Sequence, residues 1–419
     1  MTRLLTPLTA AMLALVPLSA QSPLHLYGLG ALQSAEDVSS DGAGNIRSLP
    51  LTAGDAYPAS VASWHNLSST QLRTTLATQM SVTPAVNDQP RYKSGLRRII
   101  FLVHLDNQSA VGFGLTPLTQ TDLFLKDSTG SMILGADTLL YSQGRSISGG
   151  VSTLQVGYSR KLGDFLSVGV ALDLLFGTML QSDTLQFIST GSRSDILNWI
   201  SLTSRYLGAE RSINFLGRNL ELNLTAGALP VGKSRLGIRV NLPLTLKAKV
   251  ITKFDNAAPF TEETTAELEL PVSINVGYAV DMGSHQRLLA EWSRQQWQNP
   301  AVNGLIFGRY IEKIEGWAAS WTFKPADLGG AAPGRMFYRV GFYKKYYYLS
   351  DLKNNPLGEV AFSMGFGIRS LRTHYKMDFA LQLGERDALP GMDSEKFGRL
   401  SVGVTMGETW FSRPKKNWK

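Results

Sequence analysis

Residues Arg235–Val250 read RLGIRVNLPLTLKAKV. Every even position is apolar: Leu236, Ile238, Val240, Leu242, Leu244, Leu246, Ala248 and Val250. Between them stand Arg235, Gly237, Arg239, Asn241, Pro243, Thr245, Lys247 and Lys249. A period of two marks a strand with one greasy and one polar face. The next stretch repeats the plan, with Ala266, Leu268, Leu270, Val272, Ile274, Val276, Tyr278 and Val280 against Glu267, Glu269, Pro271, Ser273, Asn275 and Gly277. Each run lasts about sixteen residues, whereas strands of soluble sheets average five or six. A strand that crosses a bilayer needs about ten residues and often projects beyond it, with lipid-facing and lumen-facing side chains alternating throughout. The pair therefore predicts an all-β, antiparallel transmembrane barrel.

Outward from this pair the same alternation defines about fourteen segments: 70–83, 94–105, 109–117, 149–160, 165–178, 210–228, 234–252, 263–281, 285–297, 311–324, 335–349, 357–370, 373–384 and 397–411. Short connections such as Asp106-Asn107-Gln108 and Leu162-Gly163-Asp164 follow even strands, and longer ones such as 118–148 and 179–209 follow odd strands. Short periplasmic turns and long outer loops give that parity. Closure is required because an open edge in lipid leaves backbone groups unpaired. Fourteen strands enclose more space than their own side chains fill. Residues 21–69, rich in Gly, Ala, Ser and Asp and without sustained alternation, are either a plug inside the lumen or a periplasmic extension, and the plug is the favoured expectation.

The rest of the chain agrees with export. Residues 1–20 have one basic residue, an apolar stretch and a small-residue end at Ser19-Ala20, the form of a signal peptide. The 419 residues contain no Cys, which excludes a disulfide framework and a lipoprotein anchor, and only 18% are charged. The net charge of +8 favours an anionic partner or surface, outer-membrane lipids and lipopolysaccharide included. Nucleic acid is not expected for an exported chain without a basic cluster or stacking motif. The barrel is expected over 70–411 and a basic periplasmic tail over 412–419. Trp410 and Phe411 at one end, and Tyr346 and Tyr348 at the other, suit the aromatic girdles. Asp195–Leu207 has helical spacing, as either a landing helix or an ordinary packed loop helix.

Several stretches together resemble the FadL-type outer-membrane transporters of long-chain fatty acids and other hydrophobic compounds, in the branch found in Bacteroidetes-like bacteria. AYPASVASWHNLSSTQL (Ala56–Leu72) stands where that family joins plug to first strand, with Tyr57 in place of Asn before Pro58 and Ala59. GFGLTPL (Gly112–Leu118), RVNLPLTLKAK, LELPVSINVGYAVD, LLAEWSRQQW (Leu288–Trp297), VAFSMGFGIRS, MDFALQLGER and ETWFSRPKK follow in the family's order. The resemblance implies a 14-stranded barrel with an N-terminal hatch that binds an amphipathic ligand and releases it sideways through a kink in the third strand. Gly112, Gly114 and Pro117 are where such a break is expected, because Gly packs no side chain and Pro cannot donate to the ladder.

No catalytic or metal motif is present. The five His (His25, His65, His104, His285 and His374) have no metal-binding spacing and no G-x-S-x-G elbow occurs, so neither an enzyme, a metal nor a cofactor is expected. Taking the non-lipid face of each strand gives eleven basic lumen candidates, among them Arg98, Arg239, Lys247, Lys249, Arg339 and Lys376, against six acids. Their excess favours a carboxylate or phosphate head group; the competing account is an Arg–carboxylate network that stiffens the barrel. Lys247 and Lys249 beside Glu267 and Glu269 fit the second account. Ile100 and Leu102, between Arg98 and His104, make the second strand apolar on both faces, so it either packs on the plug or lines a hydrophobic pocket. The expected function is passage of a hydrophobic or amphipathic small molecule through a plugged barrel. Its rival is a non-transporting barrel that serves as scaffold, shuttle or secretion partner in an envelope complex.

Overall fold

The computed structural model describes residues 31–32, 37–52, 55–82, 91–134, 137–188, 206–229, 233–255, 260–268, 270–297, 311–325, 336–350, 354–370, 375–387 and 394–408. The strands are β1 (Ala31–Leu32), β2 (Thr70–Val82), β3 (Arg91–Asp106), β4 (Ser109–Pro117), β5 (Thr119–Leu134), β6 (Asp137–Leu162), β7 (Leu166–Ile188), β8 (Tyr206–Leu229) and β9 (Ser234–Asp255). They continue with β10 (Phe260–Leu268), β11 (Val272–Met282), β12 (Gln286–Gln296), β13 (Lys313–Phe323), β14 (Met336–Ser350), β15 (Pro356–Arg369), β16 (Lys376–Arg386) and β17 (Glu395–Glu408). A four-residue helix, Val38–Asp41, and a 3-10 helix, Val61–Asn66, precede β2.

β17 pairs antiparallel with β2 from Lys396↔Val82 to Glu408↔Thr70, which closes the sheet. β4 and β5 both pair with β6, and β10 and β11 both pair with β9, so each couple is one barrel strand in two pieces. The result is a closed barrel of fourteen antiparallel strands. Closure removes the edges that lipid could not satisfy. Its outer face carries exposed Leu224, Tyr278, Leu288, Phe342, Phe362 and Leu400, side chains that hydrocarbon accommodates and water does not.

The wall is uneven. β6, β7, β8 and β9 contain 26, 23, 24 and 22 residues, whereas β11, β12, β13 and β16 contain 11 each. At about 3.3 Å per residue the long strands reach roughly 80 Å and the short ones about 36 Å. Segment 118–148, expected as a long connection, contains β5 and the first part of β6. Segment 179–209 likewise holds the ends of β7 and β8. Polar residues with Thr and Ser continue the ladder there without a lipid-facing stripe, which is why alternation alone missed it.

The opening stretch also needs correction. Its even residues do not share one face. Pairing of β8 with β9 runs through Asn219↔Pro243 and then Gly217↔Leu246, so two residues of β9, 244 and 245, oppose Arg218 alone. A bulge of that kind reverses the side-chain phase beyond it. Gly237 and Arg239 are buried on the inside below the bulge; Leu246, Ala248 and Val250 are buried on the inside above it. Lys247 and Lys249 therefore point outward, not into the lumen. They pair with Glu267 at 3.6 Å and Glu263 at 2.8 Å, with all four side chains at least half exposed. The phase of the eighth barrel strand reverses too, since Ala266 and Leu270 are buried where Ser273 and Asn275 continue the inner face.

Candidate functional site

Residues 37–52 and 55–69 lie inside the barrel, where backbone groups without regular partners must find side chains. The wall supplies them from all sides. Glu291 Oε2 on β12 accepts from the Arg47 and Ser48 amides (2.8 and 2.7 Å) and from Ser48 Oγ (2.5 Å). Arg287 Nη1 donates to Pro50 O at 2.9 Å, Thr322 Oγ1 to Leu51 O at 3.0 Å, Arg73 Nη2 to Ala56 O at 2.8 Å and Gln382 Nε2 to Asp41 O at 2.8 Å. Ser401 Oγ donates to Asp41 Oδ2 and Ser363 Oγ accepts from the Gly44 amide. Tyr57, Pro58 and Ala59 are buried in this segment. The Tyr57 hydroxyl donates to Ile46 O and its amide to Ser63 Oγ, while Ala59 O accepts from Arg239 Nη1 at 3.2 Å. Burial holds the Tyr57 hydroxyl well above its ordinary pKa. At Asp55, burial raises the carboxyl pKa, but the Lys376 and Arg369 cations outweigh it and the net shift is downward.

Trp64 anchors the far end of the segment. It is fully buried in a cluster with Ile100, Leu102, Ala110 and Ala171. A Cβ on Gly112 would lie 2.6 Å from the Trp64 ring, and one on Gly157 would lie 2.7 Å from it. Ile100 and Leu102 thus pack in one cluster with Trp64. His104, also on the inner face of β3, is half buried at the short-turn end. His65 Nδ1 donates to Ala62 O (2.8 Å), and burial lowers its pKa.

The basic lumen candidates have partners. Arg98 donates to Gln155 Oε1 at 2.8 Å, Arg239 pairs with Glu221 at 2.8 Å, and Asp378 receives both Arg339 (2.9 Å) and Lys376 (3.1 Å). These are buried, charge-assisted contacts.

The break in the third strand lies at Leu118, next to Pro117 and away from Gly112 and Gly114. β4 is paired on both sides: with β3 from Ile99↔Leu115 to Asp106↔Ser109, and with β6 from Ser109↔Arg160 to Pro117↔Ser152. Gly112 serves Trp64, and a Cβ on Gly114 would only touch Ile100 at 3.3 Å. Past Leu118 the ladder to β6 resumes one residue out of step. Among the described residues the other edge of β5 pairs only with β1, at Ala31↔Gln120 and Leu32↔Thr119, so no ladder joins β5 to the upper half of β3. Gly149, Gly150 and Gly177, with φ of +98°, +152° and +152°, sit beside the break. Only glycine adopts such angles without strain. The dipeptide Gly149-Gly150 was the sequence signal that could have marked this level.

Above the segment is a cavity of about 230 Å³. Gly44, Asn45 and Arg47 form its floor; Gln155, Asn219, Asn241 and Asn275 stand around its wall; Leu175, Leu270 and Tyr347 contribute to its roof; Pro117 and Leu118 border it. The roof belongs to a larger apolar cluster in which Ile213, Phe215 and Val250 meet Trp297, Tyr348 and Leu357. Tyr348 is therefore not a girdle residue: it is fully buried, its ring 4.5 Å from Trp297. Tyr346 is half buried under Lys344. Trp410, Phe411, the signal peptide, and residues 195–205 of the expected helix lie outside the described residues; Tyr206 and Leu207 begin β8.

The sequence profile named BamG matches residues 3–417. The chain belongs to the BamG family. The fold of this BamG-family barrel is shared by solved structures of FadL type. One is a Pseudomonas aeruginosa FadL homologue, 10% identical, with a TM-score of 0.60 over 93% of this chain and 99% of that one. Another is the CymD monoaromatic hydrocarbon channel, 14% identical, with a TM-score of 0.56 over 94% and 99%. A third is the Pseudomonas putida toluene transporter TodX, 13% identical, with a TM-score of 0.56 over 90% and 99%. No curated protein sequence matches this chain. The expected FadL-type barrel thus holds as fold, while the sequence family is BamG.

Proposed function

We propose that this barrel passes hydrophobic or amphipathic small molecules, fatty-acid-like compounds among them, across the outer membrane, with residues 37–69 as plug and the break at Leu118 as lateral exit. The observation that carries the proposal is the junction of three features at one place. The cavity borders Pro117 and Leu118, the ladder between the third strand and β3 stops there, and the N-terminal segment is tied to the same point through β1. A molecule held between plug and roof would have the interrupted wall as its nearest way into lipid. The names of the structural neighbours, hydrocarbon channels and a toluene transporter, support the same direction. The test uses the absence of native Cys. Ala31 and Gln120 are direct cross-strand partners, so A31C/Q120C falls within disulfide reach. Oxidation is expected to stop uptake of a hydrophobic probe by cells bearing this barrel, and reduction to restore it. Equal uptake in both redox states would refute the lateral route.

A scaffold role in an envelope complex is favoured by a different observation: the plug is hydrogen-bonded around nearly the whole circumference, as a permanently closed lumen would be. Stoichiometric co-purification with another envelope protein, without uptake of any probe, is its expected signature.

A further inference from the structure

We propose that the cavity takes an amphiphile whose head group is neutral and rich in hydroxyls, of the glycosyl or glycerol kind, and not a carboxylate or phosphate; this rests on the transport proposal above. Arg47, Arg98, Arg239, Arg294, Lys344 and Lys345 line the cavity, and several of them are already engaged. Arg239 is held by Glu221, whose other oxygen accepts from Asn223 Nδ2 at 2.5 Å. Arg98 is turned onto Gln155. Glu291 receives two amides and a hydroxyl of the plug, and Asn275 Nδ2 at 3.2 Å.

The same wall holds a set of acceptors. Asn219 Oδ1, Asn241 Oδ1 and Gln295 Oε1 are buried with no hydrogen-bond partner among the described residues, and all three residues line the cavity. The orientation of two of these amides follows from their neighbours. Asn219 Nδ2 points at Asp173 Oδ2 (3.5 Å), and Asn241 Nδ2 donates to Ser273 Oγ (2.9 Å), so in both the carbonyl oxygen is left over. Buried acceptors without donors are costly, and a ligand gains by supplying what they lack. A carboxylate or phosphate dianion has no proton to donate and would bring its charge toward the Asp173 and Glu291 carboxylates. A hydroxylated head donates to all three oxygens and brings no charge. Above them Leu175, Leu270 and Tyr347 offer apolar surface for an alkyl chain.

The experiment compares probes with one tail and different heads: octyl glucoside, 1-monooctanoylglycerol, octanoate and octyl phosphate. Each is titrated calorimetrically into the full-length barrel in lipid nanodiscs, with empty nanodiscs subtracted. The two hydroxylated probes are expected to bind at least about tenfold tighter than the two anions, and Asn241→Leu to remove about tenfold from the hydroxylated pair alone. Wild-type protein by itself gives a decision even if the variant does not fold. Anions binding as tightly or more tightly overturn the head-group inference and leave the transport proposal standing. No saturable binding by any probe overturns both.

Discussion

Trp64 and Gly157 offer a stringent check on how residues 55–69 are held in the barrel. Gly157 belongs to β6, and a Cβ there would lie 2.7 Å from Trp64 Cζ3, 2.9 Å from Cη2 and 3.2 Å from Ala171 Cβ. These distances are below van der Waals contact, so Gly157→Ala overpacks a closed site, at a cost of about 1–3 kcal/mol. Trp64→Ala removes a fully buried ring from among Ile100, Leu102 and Ala171, at about 3–5 kcal/mol. In the double variant the methyl meets an empty space where the ring stood, so the cost of the alanine should fall to near zero. The pair therefore couples by about 1–3 kcal/mol, with the double variant no worse than Trp64→Ala alone. Hydrogen exchange over residues 55–69, followed by mass spectrometry in nanodiscs, reads the opening free energy of this segment directly. Additive losses would mean that Gly157 does not make room for Trp64, and that the plug is seated in some other way.

Further outcomes follow from the same geometry. Glu291→Ala removes the acceptor of the Arg47 and Ser48 amides and should loosen that turn by about 3–5 kcal/mol, seen as tryptic cleavage after Arg47 in folded protein. For His65 the sign is set by its depressed pKa. Docking of the segment around His65 is fully stabilised above the ordinary value of 6.5 and weakens as pH falls below it, because the released segment binds the proton more tightly. Exchange over 61–69 should thus be faster at pH 5.5 than at pH 7.5 in a comparison corrected for intrinsic rates, and His65→Gln should abolish the difference. Asp55 does not contribute in that window, since its pKa lies below 3.8. Lys247→Ala should change the heat-unfolding transition by no more than about 0.5 kcal/mol, as befits an exposed pair with Glu267; a larger loss would return that lysine to the lumen.

The sequence by itself determined the class of fold. Side-chain period in a strand is a local property, so Leu236 to Leu242 and Val272 to Val280 declare a lipid-facing stripe whatever their neighbours are, and the count of such stripes with alternating connections gives fourteen strands. It also identified Arg239, Arg339 and Lys376 as inward and the second strand as apolar on both faces. Only the tertiary structure decided where each stripe changes face. The bulge opposite Arg218 is a matter of register between β8 and β9, set by hydrogen bonds between residues some 25 positions apart, and it turns Lys247 outward without any mark in the local pattern. The same holds for the site. Trp64 fits because Gly112 and Gly157 come from different strands, β5 has no ladder to β3 among the described residues because the upper part of β3 pairs with β2 alone, and the partners of the lumen cations are brought from across the sheet. Alternation tells which residues face inward; what they meet there depends on chain segments that only closure of the barrel brings together.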